Sequence, residues 1–367
     1  MIDPSPGSVT SRRNEVRDWR LHGAGMIGEE ATFTAVVPVR FLSACGSKKE
    51  RTQVESILQQ EPIDVAAWLE DELYFNYPEG ARSKKALFPP DAIDLPFIKQ
   101  NRRYLYKRSV KRYPDQFWGE VVAYQVGGLL GVNVPPAFAA FDSNANDCGA
   151  LIEWFYEDGK ASFVPGGNYM QKLMPDYDRK KGTQHNFQSI QILSRAFSTT
   201  RLSVQDWPLY WGETFLFDAL IGNTDRHQDN WGYLFVRSRK RRTKAELSPL
   251  FDNGTSLGHE RFTDAVEAWT DEDFSRYVAR GTHHMRWSRD APKKSGHFQM
   301  IQQMIAVYPV LRPVLLEKIR QFSTESLDEK LDALEQLPMP VPLTNARRRL
   351  YMRLIAERQK NIQSVLE

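Results

Sequence analysis

Ile221-Gly222-Asn223-Thr224-Asp225-Arg226-His227-Gln228-Asp229-Asn230-Trp231-Gly232 is the stretch on which the reading of this sequence turns. It follows an apolar segment, 206–222, that carries Trp207, Trp211, Phe215 and Phe217 and closes on Gly222. A strand-like run begins at 231, so the stretch is a loop pinned between two buried elements. Rigid scaffolds place reactive groups on such loops. Asp225 and Asn230 stand five positions apart. Phosphoryl transfer needs a carboxylate at the acceptor hydroxyl and an oxygen ligand for magnesium beside it, and this spacing supplies both. An Asx-rich turn that only caps a helix would also use Asn and Asp. The full order N-x-D-x-H-x-x-N, with a second aspartate downstream, favours chemistry.

That second aspartate lies in Ser248-Pro249-Leu250-Phe251-Asp252-Asn253-Gly254. The run 248–252 reads as a strand that delivers Asp252 to its end, with Gly254 allowing a sharp turn. A carboxylate there can bridge magnesium to phosphates. Between the two motifs lies the basic run Arg237-Ser238-Arg239-Lys240-Arg241-Arg242-Thr243-Lys244. Without interleaved aromatic residues it reads as a solvated hairpin tip rather than a nucleic-acid contact. Phosphate charge also calls for a lysine held by a helical glutamate. Lys107, in the strand-like segment 103–109, and Glu120, in the first turn of the next helix, make that pair; Lys111 is the rival lysine.

Further out, Pro114-Asp115 signals a helix start, and a helix is expected over 116–130, closed by Gly131. Strands are expected at 137–141 and 149–156, the second placing residues 153–155 where a nucleotide base could meet backbone groups. Short strands follow at 231–236 and 248–252, then helices near 297–322, 326–336 and 344–365. Upstream, 1–30 is a polar arm, 31–43 reads as a strand broken at Pro38, and 51–74 carries apolar residues at helical spacing. The fold class is α+β, with a small β-rich lobe carrying one key helix and then a mainly helical lobe. The expected organisation is an extension or part of the first lobe over 1–75, the first lobe over 76–160 and the helical lobe over 161–367.

The segments YLYKRS, GLLGVNVPP, IGNTDRHQDNWGYLF and LSPLFDNGTSLG together resemble the HipA-like serine/threonine kinases, over residues from about 76 to 260. The resemblance implies a bilobal protein-kinase-like fold and an ATP- and Mg2+-dependent transfer of phosphate to a protein hydroxyl. It implies Asp225 as catalytic base, Asn230 and Asp252 as metal ligands, and Lys107 and Glu120 at the nucleotide. Read from its place inside the loop, His227 joins the catalytic candidates as a base or, more in keeping with that place, a structural or transition-state-stabilising group, with packing against the metal aspartate as the alternative. No G-x-G-x-x-G loop is present; Tyr77-Pro78-Glu79-Gly80-Ala81-Arg82-Ser83-Lys84-Lys85 stands in its place. There Gly80, Arg82, Ser83 and Lys84 are the phosphate-facing residues, and Ser83 is the counterpart of a serine that is autophosphorylated in the family. The 75 residues before this core are few for the extra N-terminal subdomain of the longer HipA toxins, so a shorter type is expected. An antitoxin-type partner is a further implication.

Composition bounds the alternatives. With 367 residues, 41% hydrophobic and 26% charged, the chain can bury two lobes. A net charge of +3 points to no particular partner, and two cysteines without a CxxC pair fit a reducing, cytoplasmic setting. No stretch reaches the ~20 apolar residues of a membrane span. A lipid or small-molecule kinase is a second reading, because phosphatidylinositol kinases share a D-R-H-x-x-N loop. No polybasic or amphipathic membrane-facing segment supports it. A kinase-shaped binding protein without catalysis is the third. Trp231 and the aromatic residues of 207–217 are expected in the core, and His185, His283 and His284 on the surface or in loops.

Overall fold

The structure, a computed structural model, describes residues 55–72, 83–199, 206–237 and 243–367. The expected arm at 1–30, the strand at 31–43 and the tip of the basic run at 238–242 lie outside the described residues.

In chain order, β1 (Ile63–Asp64), β2 (Leu69–Glu70), β3 (Lys84–Phe88) and β4 (Tyr104–Arg108) precede helix α1 (Trp118–Leu130). β5 (Ala137–Asp142) and β6 (Asp147–Glu153) follow, and the six strands form one sheet in the order β1-β5-β6-β4-β3-β2. All pairs are antiparallel except β1 with β5. The helix expected over 51–74 is not formed in the described part. Pro62 lacks the N–H a helix needs, and Ile63, Val65 and Trp68 are buried from an extended chain whose β1 pairs with β5.

α1 starts later than the Pro114-Asp115 signal suggests. Asp115 is drawn away by Arg347, whose Nε donates to it at 2.8 Å, and Phe117 occupies the cap position. The helix is buried on almost every side, through Trp118, Val121, Val122 and Val126, which is why it shows a helical run without a polar face. Gly131 ends it in the left-handed conformation (φ 68°), with its N–H bonded to the carbonyls of Gly127 and Gly128.

β7 (Ala161–Pro165), α2 (Gly166–Leu173), α3 (Phe187–Thr199) and α4 (Trp207–Ile221) lead to the loop that carries Asp225 and Asn230; β8 (Gly232–Arg237) and β9 (Thr243–Leu247) leave it. β7, β8 and β9 make a three-stranded antiparallel sheet. The strand expected at 248–252 has moved upstream into β9. Pro249 carries no N–H, and Leu250 N–H bonds instead to Asn133 O at 2.8 Å, so after Ser248, whose N–H still reaches Gly232 O at 3.0 Å, the segment leaves the sheet. Trp207, Trp211, Phe215, Phe217 and Trp231 are buried, as expected.

α5 (Thr263–Glu267), α6 (Asp271–Ala279), α7 (His297–Val307), α8 (Leu311–Gln321), α9 (Thr324–Glu335) and α10 (Asn345–Leu366) complete the chain. The single helix expected over 297–322 is two, broken at Tyr308–Val310 because Pro309 cannot continue the hydrogen-bond ladder. α10 packs against α4 and α7 to α9 and forms the spine of the helical half. Among the described residues no helix is long and apolar enough to cross a membrane.

Candidate active site

Lys107 joins three elements. From β4, its Nζ donates to Glu120 Oε1 of α1 at 2.6 Å and to Asp252 Oδ1. Lys107 and Glu120 are each 3% exposed, so this is a buried ion pair, held because each charge is matched. The second glutamate oxygen, Oε2, accepts the backbone N–H of Asn253 at 2.8 Å. Gln116 Nε2 donates to Gly254 O at 3.0 Å, so the segment after Asp252 is fastened twice to α1 or the turn before it. Lys111, the rival lysine, is exposed. Asp252 itself adopts φ 58°, a left-handed backbone that costs a non-glycine residue roughly 1 kcal/mol and is easiest for Asp and Asn. Strain kept beside two charged partners is a mark of a functional position.

The upstream phosphate-loop residues divide. Gly80 and Arg82 lie outside the described residues. Ser83 is exposed, and its carbonyl accepts Arg108 N–H at 3.2 Å. Lys84 pairs across the sheet with Lys107, and its Nζ lies 4.0 Å from Asp252 Oδ2. Two lysines therefore face one carboxylate.

The loop of Asp225 and Asn230 is tied to the segment around that carboxylate by Arg226, which is fully buried. Its Nε and Nη2 grip Asp218 of α4 at 3.0 and 2.7 Å, a two-pronged geometry natural to guanidinium and carboxylate. Nη1 donates to the carbonyls of Phe251 and Asn230, and Nη2 also donates to Asn253 Oδ1 at 2.7 Å. One side chain thus spans α4, the loop and both neighbours of Asp252. Around Asp225 the main chain is equally committed. Its N–H donates to Asn223 Oδ1 at 2.9 Å, and its carbonyl accepts His227 N–H at 2.7 Å and Asn230 Nδ2 at 2.8 Å. With Nδ2 used inside the loop, Asn230 Oδ1 accepts no hydrogen bond among the described residues. His227 Nδ1 accepts Asp229 N–H at 3.1 Å, a bond that holds the loop in shape.

Burial alone would raise the pKa of Asp218, but the Arg226 charge and the hydrogen bonds from His283 and Arg226 hold it well below the usual carboxylate range. His283 Nε2 lies 3.1 Å from Asp218 Oδ2, and His297 Nε2 lies 2.7 Å from Asn223 O. Burial, and then the neighbouring Arg358 charge, depress His297 to about 3, so it is a neutral strut. Of the two places expected for His185, His283 and His284, surface or loop, all three take the loop, two of them buried. His185 and His283 are buried, and His185 Nε2 accepts the indole N–H of Trp231 at 3.1 Å. His284 is partly buried, its ring 5.9 Å from that of His227.

Several contributors carry no sequence signal of their own. Lys294 is exposed along much of its side chain, yet burial at its ammonium lowers its pKa while the nearby Asp225 carboxylate opposes that shift. Phe251 stacks on Phe155 with centroids 5.0 Å apart and meets Phe163 edge-on at 5.6 Å, which builds an apolar wall between the end of β6 and Asp252. In the 153–155 segment, the N–H groups of Glu153 and Trp154 are taken by Pro136 O and Arg103 O.

No family model matches the sequence, and no curated protein matches it. Among solved structures, the Helicobacter pylori proinflammatory kinase CtkA superposes with a TM-score of 0.60 at 17% identity, over 83% of this chain and 96% of that one. The chain has a protein-kinase-like fold. Two further structures align less closely. Shewanella oneidensis HipA, in its complex with HipB and operator DNA, gives a TM-score of 0.45 at 12% identity over 81% of this chain and 70% of that one. Hydra Fam20 with sugar gives 0.39 at 14% identity over 77% and 81%. In the kinase-like fold found here, the β-sheet half supplies Lys84, Lys107 and Glu120, the loop between α4 and β8 supplies Asp225 and Asn230, and the segment after β9 supplies Asp252.

The donor set fits a magnesium nucleotide. Asp252 offers carboxylate oxygen and Asn230 offers amide oxygen, both hard ligands of the kind magnesium takes. Among the described residues no three His, Cys, Asp or Glu side chains form a metal cage on their own. A cation held by Asp252 and Asn230 would therefore complete its shell with phosphate and water, the usual habit of magnesium at nucleotide sites.

Proposed function

We propose that this chain is an ATP- and magnesium-dependent phosphotransferase that acts on a serine or threonine hydroxyl of a protein. The observation that carries the reading is the side chain of Lys107, shared between Glu120 and Asp252 while Arg226 fastens residues 251 and 253 to the loop of Asp225. These contacts fasten Lys107 and Asp252 beside the loop that carries Asp225 and Asn230, which supports the reading.

Asp225 accepts the proton of the acceptor hydroxyl as its oxygen bonds to the γ-phosphorus. The bond from that phosphorus to the bridging oxygen breaks, and ADP leaves with the electron pair. Lys107, oriented by Glu120, and Lys84, its partner across the sheet, would face the phosphates. Asn230 Oδ1 and the Asp252 carboxylate would hold magnesium, which supplies positive charge against the phosphate oxygens when bound. Phe155, Phe163 and Phe251 offer an apolar surface suited to a base.

Incubation of the full chain with γ-labelled ATP, magnesium, a protein extract and mixed phosphoinositide vesicles tests the reading. Label is expected in protein, the chain itself included, and to disappear when EDTA replaces magnesium. Label recovered only in extracted lipid would assign the site to lipid phosphorylation. No label in either fraction, despite tight MgATP binding, would point to a binding protein.

A further inference from the structure

A cavity of about 730 Å³ opens beside the catalytic loop, lined on one side by Gly222 and Thr224, the residue before Asp225. Residues 258–261, the 269–282 region and Arg358 of α10 form the rest of its wall. Four arginines line it, Arg261, Arg276, Arg280 and Arg358, against two carboxylates, Glu260 and Asp273. Both carboxylates are already engaged within the wall. Glu260 Oε1 accepts from Tyr277 Oη at 2.8 Å and lies 3.3 Å from Arg261 Nε. Asp273 accepts from Arg276 Nη1 at 2.9 Å and closes the capping box of α6 with Thr270.

Arg358 is the unusual member. It is 4% exposed, yet among the described residues no carboxylate lies within ion-pair distance of it. Nη1 donates to Ala219 O at 3.0 Å and lies 3.4 Å from His297 Nδ1, on a ring that stays neutral. Burial lowers its pKa to about 10. The chain makes room for this group at two glycines. A Cβ on Gly222 would come within 2.7 Å of the guanidinium, and one on Gly281 within 3.2 Å. The Glu260 charge favours this guanidinium only from beyond ion-pair distance; a buried guanidinium without a direct ion pair is costly, and one that lines a cavity can be matched by an anion brought from outside. At the rim, Arg276 and Arg280 are exposed and extend the same charge, while Arg261 lies over the rings of Trp269 and Tyr277 at 5.6 and 4.9 Å.

We propose that this cavity is an acceptor subsite that takes an oxyanion-bearing side chain, Asp, Glu or phosphoserine, near the hydroxyl to be phosphorylated in a polypeptide. The volume exceeds what a lone ion fills, and the wall shared with Thr224 sets the anion close to Asp225. The inference rests on the protein-phosphotransferase reading above, and binding and transfer are measured separately so that each can fail alone.

Fluorescent peptides with a single serine, flanked by glutamates, by phosphoserine, by alanines or by lysines, are titrated into the full chain by polarisation. The same peptides are assayed for phosphate transfer from MgATP. Variants Arg276→Glu/Arg280→Glu and Arg280→Gln change exposed positions, and unchanged melting and MgATP binding verify their fold. The acidic peptides are expected to bind about tenfold tighter than the alanine peptide and to lose about tenfold in the double variant, with a smaller loss in Arg280→Gln. In transfer this is a rise in KM with kcat kept. The stronger of the glutamate and phosphoserine peptides identifies the anion. Equal binding of alanine or lysine peptides, no loss in the variants, or competition by orthophosphate without binding of any peptide would each overturn the subsite. Charge-dependent binding without transfer to any peptide would keep the subsite and reject the phosphotransferase reading.

Discussion

Asp225→Asn is expected to lower phosphate transfer by about 10²–10⁴-fold, the usual contribution of a positioned base, and to leave the melting temperature unchanged. The separation of the two effects follows from how the loop is held. Asn223, His227 and Asn230 all bind the main chain of residue 225, through its N–H and its carbonyl. These main-chain bonds hold the form of the loop whether a carboxylate or an amide stands at 225. The amide cannot take a proton from the acceptor hydroxyl. A variant that transfers phosphate at the wild-type rate would remove Asp225 from the chemistry; one that melts early would make it a structural residue.

Asp218→Asn is expected to act the other way, on stability first. Asp218 and Arg226 are both fully buried, and Asp218 also meets His283 and the side chain of Asn223. Without the carboxylate, Arg226 keeps an uncompensated charge inside the protein, at a cost of about 3–5 kcal/mol. Activity should fall with it, since Arg226 fastens Phe251 and Asn253 on either side of Asp252. The pH dependence has a definite sign. The folded pKa of Asp218 is depressed, so its contribution is present above the unfolded carboxylate value, about 4, and is lost as pH falls through it toward the folded value. Urea unfolding of wild type and variant across that range should show the two curves converging in acid. A constant gap from neutral pH down to pH 3 would contradict the assignment of the ion pair as the source of the stability.

Local chemistry was readable where it is written in adjacent residues. The loop around Asp225, the strand of Lys107, the helix of Glu120 and its closing Gly131 all sit where their spacing and end signals put them. Spacing favours Lys107 and leaves Lys111 as its rival; the register of β4, which buries residues 104, 106 and 107, is what separates them. The failures have physical causes. Apolar residues in 55–72 mimic a helix because a short strand at a sheet edge also buries Ile63 and Val65, and periodicity over so few residues cannot tell the two apart. One helix was read across 297–322 because its apolar stripe resumes in register after Pro309. Buried His283 and His297, and the guanidinium of Arg358, depend on partners far along the chain, Asp218, Asn223 and Ala219, which no local pattern announces. Arg226 was visible as a residue, but its task of joining the catalytic loop to the segment around Asp252 is a tertiary one.

The proposal that Lys107, Glu120, Asn230 and Asp252 together hold a metal nucleotide is most directly tested by calorimetric titration of ATP into the full chain, with magnesium and with EDTA, for wild type and Asp252→Asn. Wild type is expected to bind one ATP only when magnesium is present, and Asp252→Asn to weaken that binding by about tenfold or more through loss of a charged metal ligand. Equal affinity in the two proteins, or equal affinity with and without magnesium, would contradict the account.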